Sequence, residues 1–173
     1  MFGIRPIIHK DCLNTVIITD IDKGNALLKA NALEKCGVMQ AVQGKYEDAI
    51  RSHKAALVLF QQLNGSDDVN VANALYNIAV CMNSIGPSKE SSMLLQKALK
   101  IIRSAMGSNS LDCVDVLHQL GVSCSLSGEY AKAAIYFEEA LQVLKVHTQH
   151  ETLKAAEINQ VLGEIVSTAI YQI

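Results

Sequence analysis

Three stretches of the chain repeat one arrangement of apolar and polar positions. NALEKCGVMQAV (31–42), NALYNIAVCMNS (73–84) and DVLHQLGVSCSL (115–126) each place apolar residues at helical spacing around a small central residue. A glycine follows each stretch, at Gly44, Gly86 and Gly128, and glycine there predicts a helix C-cap. A second amphipathic helix is predicted after each glycine, near 45–63, 88–105 and 129–147. GKYEDAIRSHKAALVLF (44–60) and GEYAKAAIYFEEALQVL (128–144) carry Gly, Tyr, Ala, Ala and Leu at the same offsets. The middle copy, GPSKESSMLLQKALKII (86–102), is a weaker version with Pro87 at its start, where a missing N–H costs little.

Several registers agree on one period. Gly44, Gly86 and Gly128 are 42 residues apart, as are Ala56, Ala98 and Ala140, and Leu57, Leu99 and Leu141. Leu33, Leu75 and Leu117 keep the step, and Gly37, Ala79, Gly121 and Gly163 keep it with a small residue throughout. A period of this length marks a repeat protein, in which one helical pair cannot bury its own apolar faces and stacked copies bury them for each other. The linkers NGSDD (64–68), GSNS (107–110) and TQHE (148–151) supply caps for the next helix, and their shortness implies antiparallel neighbours. The expected organisation is an N-terminal segment, 1–23, and a repeat array, 24–173. The repeats fall near 26–67, 68–109 and 110–151, with a partial fourth at 152–173. Within 1–23, VIIT (16–19) favours strand and Pro6 with IIHKDCL favours helix; a partial second helix of a preceding repeat is the preferred reading.

Composition narrows the class. The 173 residues suffice for one domain with a real core. Half are hydrophobic, yet only 5% are aromatic and none is Trp, which suits close helix packing. A net charge of −2 gives no reason to expect a nucleic-acid or anionic-membrane surface. MFGIRPIIHK (1–10) lacks the pattern of a signal peptide, and no apolar run reaches the length of a membrane span. Five cysteines, Cys12, Cys36, Cys81, Cys113 and Cys124, form no CxxC pair, which reads as the usage of a reducing, cytoplasmic compartment with thiols as small buried side chains.

Catalytic chemistry finds no footing. His147, His150 and Glu151 lie together in a linker, but no metal motif is completed, and surface histidines are expected. His53 and His118 fall on different helices without a nucleophile motif. Cys36 and Cys124 occupy helix-packing places and are expected to be buried. No phosphate-cradling glycine loop is present. Glu47 and Asp48 point apart and read as a solvated first turn. The expectation is a non-enzyme without cofactor or metal.

The repeats resemble the tetratricopeptide repeat, in the 42-residue form of kinesin light chains, from about residue 26 to about 170. Leu33, Leu75 and Leu117 stand at the family's first aromatic place. Its Leu-Gly pair is Cys36-Gly37, Ile78-Ala79, Leu120-Gly121 and Leu162-Gly163. The A-x₃-F element is Ala133…Phe137 in the third unit but Ala49…His53 and Ser91…Leu95 in the others. The family's Tyr place holds Gln40, Met82 and Cys124, and its closing Pro is replaced by Gln61, Arg103 and Lys145, as a longer second helix requires.

The resemblance implies an all-α, right-handed α-solenoid of stacked antiparallel helix pairs, whose first helices line a concave groove for a peptide. The family's groove places here are Asn31, Glu34 and Val38; Asn73, Tyr76, Asn77 and Val80; and Asp115, His118, Gln119 and Val122. Glu157, Gln160 and Glu164 extend them into the partial unit. Relatives that clamp the acidic C-terminus of heat-shock chaperones use Lys, Asn, Asn, Lys and Arg. Glu34, Val38, Asn77, Asp115 and Gln119 stand at those places, so an anionic tail would be repelled. LYNIA (75–79) resembles LNNLA of kinesin light chains, where the residue matching Asn77 binds cargo backbone. The implied function is a protein–protein interaction scaffold or adaptor for a neutral or basic peptide. The alternative is a structural subunit docked or self-associated through 153–173, which ends STAIYQI.

Overall fold

The computed structural model describes residues 20–86, 88–147 and 152–171. They form seven α-helices: α1 (Asp20–Val42), α2 (Tyr46–Asn64), α3 (Val69–Ile85), α4 (Lys89–Met106), α5 (Leu111–Leu126), α6 (Tyr130–Val146) and α7 (Thr152–Tyr171). No strand occurs among the described residues. Each helix packs on the next in the chain, and first helices also touch first helices, α1 on α3 and α3 on α5. The fold is thus all-α, a helical solenoid of paired helices. α1 starts at Asp20 and runs through the junction expected at residue 24. The preference for a helix over 1–23 otherwise lies outside the described residues, as do Pro87, TQHE (148–151) and the last two residues of STAIYQI.

Local chemistry explains where the helices stop. After α1, Gly44 takes φ 75°, its N–H bonds the Ala41 carbonyl, and the Lys45 N–H reaches back to the Gln40 carbonyl at 2.9 Å. After α5, Gly128 repeats this with φ 76°, and the Glu129 N–H bonds the Cys124 carbonyl at 2.8 Å. Both are glycine-dependent Schellman closures. In the middle pair the residue after glycine is proline, which has no N–H to give. There α4 is opened by Ser88, whose side chain accepts from the Ser91 N–H. Asp68 and Ser110 cap α3 and α5 in the same way, accepting from the N–H groups of Asn70 and Asp112.

The core follows the repeat register. Ala56, Ala98 and Ala140 are wholly buried, which is what lets the paired helices approach. Gly37 and Gly121 form notches: a Cβ on Gly37 would come within 2.6 Å of the His53 ring, and one on Gly121 within 2.6 Å of Phe137. At the matching Gly163 no described atom lies within 4 Å of such a Cβ.

One expectation fails. Cys36 is exposed, whereas Cys81, Cys113 and Cys124 are buried. Cys36 shares its register with Ile78 and Leu120, each at most 1% exposed. Those two sit on first helices that have an earlier pair to lean on. Among the described residues α1 has none, so the same place faces outward, together with Leu28 and Met39.

Candidate functional site

The groove residues named from the sequence lie on α1, α3 and α5, and none of the eleven is fully buried. Asn31, Val38 and Asn73 are exposed; Glu34, Tyr76, Asn77, Val80, Asp115, His118, Gln119 and Val122 are half-buried. Glu157, Gln160 and Glu164 on α7 are exposed. Tyr76 and Val122 also pack against the core.

Side-chain interactions tie several of these residues into two groups across the first helices. Asn77 on α3 donates its amide N–H to Glu34 Oε1 on α1 at 2.5 Å. Lys154 on α7 pairs with Asp115 on α5. Burial, helped by the Asp115 charge, pushes the Tyr76 hydroxyl up to about 12, so it stays a neutral donor. Burial, helped by the Lys154 charge, pushes the His118 imidazole below its ordinary value against the pull of Asp115 and Glu157. Glu34 and Asn77 thus form one contact group, and Tyr76, Asp115 and His118, with Lys154, form a second. Among the described residues, Val38, Asn31, Asn73, Val80, Gln119 and Val122 contribute position and exposure without a polar side-chain contact that joins them to either group.

The charge of this row differs from a reading of its carboxylates alone. Asp115 is offset by Lys154. Glu34 Oε2 faces His53 Nδ1 at 3.0 Å. Burial alone would push the His53 imidazole down, but the acceptors Cys81 Sγ and the Glu34 carboxylate overcome it and raise the pKa to about 9. His53 is thus a cation at neutral pH, and the two acidic groups expected to repel an anion are each met by a positive partner.

Lys154 and His53 were not among the residues singled out for the groove. Lys154 sits in the first turn of the partial unit, where none of the three preceding units has a lysine at the matching place (Leu28, Asn70 and Asp112). His53 had a visible signal, since it stands where the third unit has Phe137.

The remaining chemistry is structural. Among the described residues, no three His, Cys, Asp or Glu side chains are placed to hold a metal ion. No helix among them is long and apolar enough to cross a membrane. His147 is exposed, with Nε2 at 2.6 Å from the Asn109 carbonyl, while His150 and Glu151 lie outside the described residues. Asp48 pairs with Arg51 in the first turn of α2. A cleft of about 420 Å³ opens elsewhere, on α4, α5 and α6, beside Lys100, Arg103 and Tyr136.

Comparison with known proteins bears on the fold and its repeats. A tetratricopeptide repeat model matches residues 77–145. Among solved structures, BtubC (BKLC) from P. vanneervenii superposes with a TM-score of 0.73 at 17% sequence identity, over 81% of this chain. The chain spans 56% of that protein's length. A search of curated proteins by sequence gives no match.

Proposed function

We propose that this chain, whose residues 77–145 match a tetratricopeptide repeat model, is a non-catalytic scaffold holding a neutral or basic peptide along α1, α3 and α5. The repeat family supports protein–protein interaction in general; the peptide and its place are the proposal. The observation that carries it is the pair of polar groups on the first helices, Asn77 bonded to Glu34 and Tyr76 beside the Asp115 charge. An amide donates and accepts at once, which suits the backbone of an extended partner. With one N–H spent on Glu34, Asn77 keeps its carbonyl and its second N–H to offer. Val38, Val80 and Val122 add shallow apolar contact, and the absence of an excess of lysine or arginine in the row argues against an acidic tail.

A display library of random peptides selected on the full chain tests this. Selected peptides should be neutral or basic, and Asn77→Ala should abolish their binding with helicity unchanged by circular dichroism. Unchanged affinity in both Asn77→Ala and Tyr76→Ala ends the proposal.

A second reading, an assembly subunit docked through α7, is favoured by the open space at Gly163, where earlier pairs seat a ring. Light scattering over a dilution series, on the full chain and on a version ending near Glu164, separates the two. A dimer that dissociates on truncation supports docking through α7; a monomer in both forms removes support for self-association there.

A further inference from the structure

We propose that His53 is a positioning residue for the row on α1 and α3: its imidazolium fixes the carboxylate of Glu34, and Glu34 fixes the amide of Asn77. The proposal deepens the peptide-scaffold reading and rests on it for its functional consequence, though not for its test.

The argument begins with an exception to the repeat. The place held by His53 is held by Leu95 in the second unit and Phe137 in the third, both wholly buried. His53 is itself only 1% exposed and lies on the Gly37 notch as Phe137 lies on that of Gly121. A phenyl ring would therefore fit, and burying an imidazole instead sacrifices solvation unless its polar atoms are answered. Titratable side chains approach it from both helices that flank α2. Glu34 comes from α1 and Cys81 from α3, and these are the titratable groups that interact with the ring.

Geometry then shows what kind of interaction it is. Nδ1 stands 3.0 Å from Glu34 Oε2, but neither atom has a properly aligned hydrogen bond. At that separation the Glu34 carboxylate acts on the ring both as a nearby acceptor and through its charge, so a neutral ring would hold it far less well. The other oxygen of the same carboxylate, Oε1, takes the Asn77 N–H at 2.5 Å. The chain His53–Glu34–Asn77 thus crosses from the second helix of one pair to the first helix of the next. Its end is the residue best suited to read a peptide backbone. A carboxylate acceptor settles which end of that amide is N–H and which is carbonyl. The outward offer of Asn77 to a peptide is set by a cation buried behind it.

The raised pKa of His53, about 9, keeps the cation in place at neutral pH and supplies a readout. The experiment is a ¹⁵N NMR titration of the full chain from pH 6 to 10.5, following the His53 ring nitrogens and the Asn77 side-chain NH₂. Observing the ring itself separates His53 from Cys81. In the wild type, the Asn77 NH₂ resonances should shift with the same midpoint as the imidazole. In His53→Phe they should show no step near 9. In Glu34→Gln the imidazole midpoint should fall and the Asn77 step should vanish; this variant decides the matter if His53→Phe folds poorly. An Asn77 NH₂ that does not move while His53 titrates, or that moves equally in His53→Phe, overturns the proposal. These readings need no ligand, so failure to select any peptide would count against the scaffold reading alone. With a selected peptide in hand, His53→Phe should weaken binding about fivefold at pH 7, on the scale of one modest hydrogen bond.

Discussion

In the third helical pair Phe137 lies on Gly121, with its ring 5.6 Å from that of His118 and inclined at 60° in an edge-on contact. In the first pair His53 lies on Gly37 and meets the carboxylate of Glu34. His118 and Glu34 share one register, as do Phe137 and His53, and the middle pair carries Tyr76 and Leu95 there. The notch on one side demands a side chain that fits against bare backbone. The residue on the other side sets what chemistry that side chain carries. An apolar ring with an aromatic neighbour and an imidazolium with a carboxylate are two answers to one packing problem, and only the second links the core electrostatically to the outer row.

The sharpest way to break the comparison is to remove a ring. Phe137→Ala should cost about 4 kcal/mol by denaturant unfolding, through lost burial and the cavity left over Gly121. Filling a notch comes next. Gly37→Ala would drive a methyl group into the His53 ring, and overpacking of this kind costs about 2 kcal/mol. Glu34→Ala strands the buried imidazole and should cost about 2 kcal/mol at pH 7, with a lowered His53 pKa by NMR.

His53→Phe carries the third pair's solution into the first and should stay within about 1 kcal/mol of wild type at pH 7. Its distinguishing effect is on pH dependence. Because folding raises the His53 pKa above its ordinary value, the stability it confers is fully present below pH 6.5 and is lost as pH rises through about 9. That loss should disappear in His53→Phe. The smallest effect sharpens the contrast from the other side. Gly163→Ala meets no described atom and should stabilise α7 by about 0.5–1 kcal/mol through helix propensity alone.

The sequence made the helical pairs legible because the repeat tests itself. Gly44 and Gly128, Ala56 and Ala140, and the central small residues recur at one step, and each has the role in the structure that its chemistry suggests. Cys36 was misread for the converse reason. Register tells which face a residue presents, but not whether a neighbour stands opposite, and an edge helix breaks the symmetry on which the inference relies. The groove places were named only through family resemblance. Their electrostatics were not legible, since the pairings of Glu34 with His53 and of Asp115 with Lys154 join residues on different helices. Their spacing in the chain bears no mark of the contact. The histidine at an aromatic place was the one visible sign that the first pair is chemically different.

The two ring-on-glycine contacts also bear on how the array assembles in time. Each joins the two helices of a single pair, so it closes only a short loop of chain and can form before any neighbouring pair has arrived. Low contact order of this kind favours fast, local folding. Each pair can then check its own helix alignment, and a pair that has closed correctly offers the next one a finished surface. Amide exchange would be expected to follow the same division, with α1–α2 and α5–α6 protected as units and α7, which packs chiefly on α6 and seats no ring at Gly163, exchanging first.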